Sequence, residues 1–401
     1  MIQRSFYLNQ LNSWKNHDVI KVVTGIRRCG KSTLLKLFRD ELLHTGTPAE
    51  NIISLNMEDV EGIDIENFRQ LLQYFVDRLQ PTGMNYIFID EVQQVDGFER
   101  AVDALFVKEN CDVYITGSNS KLLSGELATL LSGRYVEIKM HPLSFVEYAS
   151  AFPDQNPERL YRDYIDKGSF PYVSNLSDDI YVKQYLSGIY DTVILKDIVA
   201  RRKLPDQQLL KKITRFLFDN IGNPVSVKKI ADTLTSMNAK TSVPTVEKYL
   251  SSLCDTYMFY RADRYDVKGK EYLKTGGKYY AADIGLRKTV LGNKPADLGR
   301  VLENVIFLEL LRRWGEVYVG KVDNLEVDFV AVQNGEPCYY QVAYTVIDDD
   351  GSILKRELAP LKRIKDYNKR FLITMDLAPK MSHDGITQIY ALDWLMSGRS
   401  E

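Results

Sequence analysis

The sequence predicts an α/β fold, with a mostly parallel sheet in the first third, a helical connector, and a second half that mixes helices with further strands. Three observations carry this. Short apolar, β-rich runs alternate with longer helical patterns from Val19 to about Met140, as in α/β units. After Pro142 the texture turns helical and rich in Tyr and Leu. Beyond Pro205 two short amphipathic patterns precede hairpin-like runs and a last mixed segment. A chain of 401 residues has room for roughly two to four domains. The expected boundaries are 1–141, 142–205, 206–292 and 293–401.

The first strands are expected at VIKVVTG, NIISLN and MNYIFIDEV, followed by DVYITGS and RYVEIKM. Each is nearly all apolar, as strands buried on both faces should be. The segments SFVEYASAF, YRDYIDKG and YLSGIYDTVILKDIVARRK read as a helical lid or connector. Further on, Val227, Ile230, Ala231 and Leu234 fall at i, i+3, i+4 and i+7, and so do Val246, Tyr249, Leu250 and Leu253, which marks two amphipathic helices. Thr241 or Ser242 can cap the second, with Pro244 in its first turn. That is helix-turn-helix spacing, and the alternating YMFYRADRYDVKGKEYLKTGGKYYAAD would add a wing. The last segment opens with a helix, LGRVLENVIFLELLRRWG, closed by Gly315. Strands EVYVGKV, EVDFVAVQ and PCYYQVAY come next, then a basic helix, a strand RFLIT and a final YALDWL.

Composition narrows the function. With 45% apolar and 26% charged residues the chain can build a core. Fifty-two Lys and Arg against 54 Asp and Glu give a net charge of -2, so a nucleic-acid contact would have to be a local patch. Cys29, Cys111, Cys254 and Cys338 are too far apart in sequence for a C-x-x-C pair and read as reduced thiols. No apolar run approaches a membrane span and the start lacks a secretory signal, so no membrane association and a cytoplasmic location are expected. The four histidines show no ligand spacing.

The strand VIKVVTG runs into Gly25, Ile26, Arg27, Arg28, Cys29, Gly30, Lys31 and Ser32, followed by Thr33 and a helical pattern. This matches G-x-x-x-x-G-K-[ST] in its confirming context. Glycines let successive backbone N–H groups turn inward as an anion nest at a helix N-terminus. Lys31 would reach the β- and γ-phosphates of ATP, and the Ser32 hydroxyl would enter the shell of a Mg²⁺ ion. The fold expected is therefore a P-loop NTPase. The run YIFID ends in Asp90, expected to hold Mg²⁺ indirectly, and Glu91, placed to orient and deprotonate an attacking water. Glu91 could instead be a solvated residue after a buried strand. Ser118 and Asn119 follow the next strand, where the Asn119 amide could hold that water or simply make a turn. Arg134 lies between a helix and the last strand, either as an arginine finger onto a neighbouring copy's nucleotide, which implies a homo-oligomer, or as the partner of a local carboxylate.

These motifs resemble those of AAA+-type ATPases of bacteria and archaea that carry a C-terminal domain of unknown function. The resemblance rests on GIRRCGKST, IFIDEVQ, ITGSNSKLLSGELATLLSGR, HPLSFVEY, the GSFP of Gly168 to Pro171, and VLENVIFLELLRR. It implies a RecA/AAA-like sheet with an added strand between the P-loop strand and the Asp-Glu strand. It also implies a winged helix and then a restriction-endonuclease-like, PD-(D/E)xK-like α/β domain.

The C-terminal hairpin can be read directly. Asn334-Gly335 is a type I′ turn signal, so residue 333 faces 336, Asp328 faces Gln341 and Glu326 faces Ala343. With Glu303 from the preceding helix, the cluster of Glu303, Asp328 and Gln341 could hold a second divalent cation. PD-(D/E)xK nucleases carry an acid, a spacer and a lysine on the second strand, whereas this chain has Gln341-Val342-Ala343. Both charges are missing and no lysine stands out as a replacement. A degenerate docking fold, structural packing and an active nuclease are the three readings. On the second amphipathic helix Lys240, Thr241, Thr245 and Lys248 would face DNA, with Lys228 and Lys229 on the first, or the same face would contact a protein partner. The seven Lys and Arg from Lys355 through Arg370 fit a solvated helix face equally well.

Overall fold

Strands covered by helices on both faces are predominantly apolar, and the five runs so identified form one parallel sheet. The structure, a computed structural model, describes residues 2–59, 65–123, 131, 133–200, 206–236, 241–292, 297–333, 335–377 and 381–398. Two compact units emerge: Met1–Pro142 with Asp255–Tyr257, and Leu143–Cys254 with Met258–Glu401.

In the first unit the strands are β1 (Ile20–Thr24), β2 (Ile52–Asn56), β3 (Asn85–Asp90), β4 (Cys111–Gly117) and β5 (Tyr135–Lys139). Their order is β2-β3-β4-β1-β5 and every pairing is parallel. The strand inserted between β1 and β3 is thus β4. Helices α1 (Ser5–Trp14), α2 (Lys31–His44), α3 (Phe68–Val76) and α4 (Phe98–Phe106) belong to this unit. Ile20, Val22, Ile87, Ile89, Val113 and Ile115 of the strands pack with Leu71, Phe75, Val102 and Leu105 of α3 and α4 in one core cluster. Because all strands run the same way, the segments leaving the carboxyl ends of β1, β3, β4 and β5 meet at a single edge of the sheet. That edge carries the candidate site.

The second unit contains the helices Phe145–Ala149, Pro157–Lys167, Asp179–Thr192, Gln207–Asp219, Val227–Ser236 and Val243–Asp255. Ile230, Ala231 and Leu234 are buried, as are Val246, Tyr249, Leu250 and Leu253, so both amphipathic stripes face inward as expected. Ser242 caps the later helix, its Oγ accepting from Thr245 N at 3.3 Å. Strands β6 (Phe259–Asp266) and β7 (Glu271–Ala281) form the antiparallel hairpin read as a wing. They do not stand apart. β6 pairs in parallel with β8 (Val317–Val322), and the hairpin becomes the edge of a sheet with β9 (Leu325–Gln333), β10 (Glu336–Ala343), β11 (Arg370–Thr374), β12 (Met381–His383) and β13 (Ile386–Tyr390). Among the described residues the order is β12-β13-β11-β10-β9-β8-β6-β7. The segments read as separate domains beyond residue 142 therefore share one unit. The helix Leu298–Trp314 ends at Gly315, whose φ of 80° is the left-handed conformation that closes a helix. Among the described residues no helix is long and apolar enough to cross a membrane.

The GSFP segment has a packing explanation in this unit. Asp283 caps the helix Ile284–Leu291 by accepting from Leu286 N at 2.8 Å, and it also accepts from Ser169 N at 2.5 Å and Ser169 Oγ at 2.7 Å. A Cβ on Gly168 would lie 2.6 Å from Asp283 Oδ1, so glycine is required there. Burial pushes the Asp283 carboxyl up from its ordinary pKa, against the pull of these donors. Asp283→Ala strands all three donors and should lower the unfolding free energy by about 2 kcal/mol or more in urea titration. The exposed cap Asp178, which accepts from Ile180 N at 2.8 Å, should cost only about 1 kcal/mol when replaced by Ala. Equal losses would overturn this assignment of Asp283.

Candidate functional site

The loop between β1 and α2 is held from below by backbone. Met140 N donates to Thr24 O at 2.7 Å, which draws the Met140 carbonyl so close that a Cβ on Gly25 would lie 2.1 Å from its oxygen. Gly30, at φ 107°, turns the chain into α2, again where an L side chain is disfavoured. Ile26 and Cys29 are buried, whereas Ser32 and Thr33 open outward at the start of α2. Arg28 adopts a positive φ of 68°. Arg27 is buried and pairs with Glu58.

Lys31 is buried at the first position of α2. Its ammonium donates to Gly25 O at 3.1 Å and Ile26 O at 3.4 Å and stands 3.5 Å from Glu91 Oε1. Asp90 ends β3 and accepts from the Thr116 hydroxyl. That hydroxyl in turn accepts from Glu91 N at 2.9 Å. Glu91 is therefore a buried residue rather than a solvated one, with a left-handed φ of 52° that turns the chain sharply off the strand. Ser118 Oγ donates to Glu91 Oε2 at 3.1 Å, and Gln93 Nε2 donates to the same oxygen. Burial pushes the Glu91 carboxyl up, but Lys31, Arg27 and these two donors outweigh it and hold the pKa below its ordinary value. The site therefore presents a carboxylate, an ammonium and backbone amides at one edge.

Asn119 follows Ser118 and is buried at that edge, its carbonyl accepting from Leu122 N at 3.0 Å. Arg134 is not brought there. It precedes β5, at the opposite, amino edge of the sheet, where its Nη1 lies 2.8 Å from Asp103 Oδ1 on α4. Of its two readings, the local ion pair is the one formed within the chain. Residues 124–130 and 132 of the motif before it lie outside the described residues. Thr116, Gln93 and Ser118 complete the surroundings of Glu91. Ser118 was legible from its place after a strand and Gln93 only from its nearness in sequence to the acidic pair, while Thr116, on β4, carried no signal.

In the second unit the hairpin register obeys the turn arithmetic, with Gln333 facing Glu336 and Phe329 facing Tyr340. Asn334 lies outside the described residues. Asp328 faces Gln341: Asp328 N donates to Gln341 Oε1 at 3.3 Å, and Val342 N donates to Asp328 Oδ2 at 2.9 Å. A lysine stands among the acids expected to hold a second cation with Gln341. Lys278 of β7 places its ammonium 3.0 Å from Glu303, 2.7 Å from Glu326 and 3.7 Å from Asp328. Tyr280 OH donates to Glu303 at 2.7 Å. Gln341 turns its amide to Glu357, at 2.9 Å. The lysine missing from β10 thus has a counterpart on a strand read as a wing. Lys240 lies outside the described residues, while Lys228, Lys229 and Lys248 are exposed and Thr241 and Thr245 half-buried.

Burial, then the neighbouring Glu303, pushes the Asp328 carboxyl up to about 8 against the pull of Lys278. The folded state thus binds a proton at Asp328 that the unfolded chain, with a carboxyl pKa near ~3.9, releases. This contribution to stability falls as pH rises from about 4 to about 8. Lys278→Met removes the cation that offsets these acids and should cost about 3–5 kcal/mol at pH 8. The deficit should shrink on acidification as the carboxylates take up protons. Denaturant titrations at pH 5 and pH 8 check this, and a deficit that does not change with pH would overturn it.

Comparison with known proteins bears on the whole chain. Residues 17–149 match the model of an AAA domain, and residues 158–297 match a domain of unknown function (DUF8612). A curated protein of Haemophilus influenzae, described as uncharacterized, is 44% identical over 403 residues, covering 99% of each chain. The uncharacterized protein MJ1544 of Methanocaldococcus jannaschii is 28% identical over 372 residues, covering 87% of this chain and 78% of that one. Among solved structures, the Walker-type ATPase paby2304 of Pyrococcus abyssi is similar with a TM-score of 0.51 and 16% identity. It covers 72% of this chain and 96% of its own, a likeness of fold alone. The order of the parallel strands, the loop at the end of β1 and the matched domain agree, and at 44% identity over nearly its full length the chain belongs to the family of the Haemophilus influenzae protein, with an AAA-type P-loop ATPase domain at its N-terminal end.

Proposed function

We propose that this chain binds Mg²⁺·ATP at the Gly25–Thr33 loop and hydrolyses it, and that the second unit couples turnover to DNA or another macromolecule in the cytoplasm. The observation that carries the reading is the convergence of the loop, Asp90 with Glu91, and Ser118 with Asn119 at the ends of three adjacent parallel strands. Gly30, Lys31, Ser32 and Thr33 would present backbone N–H groups to the phosphates. The Lys31 ammonium would exchange Glu91 and the loop carbonyls for phosphate oxygens. The Ser32 hydroxyl and the Asp90 carboxylate are hard oxygen donors suited to Mg²⁺, which when bound would neutralise phosphate charge. Glu91 would orient and deprotonate the attacking water, with the Asn119 amide helping to hold it. Arg134 would act only on the nucleotide of a neighbouring copy, after leaving Asp103.

The second unit is read as a winged helix whose exposed Lys228, Lys229 and Lys248 meet DNA phosphates, joined to a degenerate PD-(D/E)xK-like sheet. Gln341 in place of an acid on β10 weighs against an ATP-regulated nuclease, although Lys278 supplies an ammonium beside Glu303, Glu326 and Asp328. In the alternative, a nucleotide-sensing DNA-binding switch with little hydrolysis, Glu91 keeps its pair with Lys31 when nucleotide binds and activates no water.

Lys31→Ala should weaken ATP binding about 10- to 100-fold in equilibrium titration. Glu91→Gln should keep the affinity and lower phosphate release about 100-fold or more. Unchanged release with nucleotide still bound would favour the switch, and no binding by the wild type would overturn both readings. Turnover measured with and without duplex DNA tests the coupling, for which a several-fold increase is expected. An unchanged rate would remove DNA as the ligand.

A further inference from the structure

Arg4 is one of the most deeply buried cations in the first unit, at 3% exposure. It sits just before α1, and its guanidinium forks between two loops that are distant in sequence. Nη1 donates to Cys29 O at 3.0 Å and Nη2 to His141 O at 2.7 Å. Tyr7, one turn along α1, completes the grip. Its ring centroid lies 4.9 Å from the Arg4 guanidinium carbon, and its hydroxyl accepts from His141 N at 3.1 Å.

The geometry of the peptide unit gives this contact its meaning. In a trans peptide the C=O and the N–H it shares a plane with point in opposite directions. The carbonyl of Cys29 and the N–H of Gly30 belong to one such unit. Holding that carbonyl against Arg4 turns the Gly30 N–H the other way, into the hollow of the loop. The preceding unit is fixed as well, with Cys29 N donating to Ile26 O at 3.2 Å. The same guanidinium ties the loop to residue 141, just beyond the Met140 carbonyl that abuts Gly25.

We infer that Arg4 is a positioning residue for the phosphate loop: it fixes the Cys29–Gly30 peptide with its N–H toward the phosphates and places a second, immobile positive charge behind them. A guanidinium suits this task because its planar fork bridges two acceptors at once and it stays charged when buried. An ammonium would keep the charge but not the bridge. The inference rests on the reading of the loop as the ATP site, and the test separates the two.

The whole chain as wild type, Lys31→Ala, Arg4→Lys, Arg4→Gln and Arg4→Ala is titrated with a fluorescent N-methylanthraniloyl ATP in the presence of Mg²⁺, with a melting curve for each. Arg4→Gln should weaken binding about tenfold or more, and Arg4→Lys should fall between it and the wild type. Low millimolar guanidinium ion, far below denaturing levels, should restore part of the affinity of Arg4→Ala. Arg4→Lys keeps the test readable if the neutral variants fail to fold. Arg4 variants that bind within twofold of the wild type, whether or not they melt earlier, would overturn the inference while Lys31→Ala still marks the loop as the site. A wild type without affinity would overturn the reading of the loop itself.

Discussion

The pairing of β5 with β1 governs the candidate site. It brings the Met140 carbonyl against Gly25 with no room for a Cβ, so the chain must leave β1 along a path open only to glycine. From there the loop can turn back and enter α2 through Gly30. Arg4 and Tyr7 press the far side of the same loop through the carbonyl of Cys29 and the backbone of His141. The anion-binding character of such a loop comes from the direction of its peptide units. Here that direction is imposed from outside the loop, by the Met140 backbone and the Arg4 side chain, rather than by the loop's own side chains.

Buried charge is handled in two ways in this chain. In the first unit Lys31 stands at the first residue of a helix, beside the exposed Ser32 and Thr33, and meets its carboxylate at 3.5 Å. A long side chain at an open edge can trade one anionic partner for another at little cost. In the second unit Lys278 comes from a strand and is closed in by Glu303, Glu326, Asp328 and the hydroxyl-bearing Tyr280. Such a cation is shared among several acids at once and neutralises carboxylates that the sheet has already buried.

How far the fold could be read from the residues depends on how local each signal is. The five runs of the first sheet announced themselves because burial leaves few polar positions on them, and Lys21 and Asp112, buried on adjacent strands, pair with each other. The β9–β10 register was legible because a two-residue turn fixes every later pair. The parallel pairing of β6 with β8 was not legible, since β7 and two helices separate the two strands and the pairing leaves no periodic trace in either. Lys278 was hidden for the same reason: it lies in GGKYYAAD, where a lysine inside an otherwise apolar run was the available hint. Arg4 offered none, as nothing in MIQRSFYLNQ distinguishes a buried guanidinium from a solvated one.

The shared sheet limits how the second unit can be divided. β6 has β7 on one side and β8 on the other, so a fragment cut after the helix Ile284–Leu291 would bare a row of unpaired amides and carbonyls along β6. Exposed strand edges of that kind template aggregation. The same cut would leave Lys278 without its three acids. The hairpin is therefore tied to the C-terminal strands, and the helices before it would not carry it along as a free-standing module.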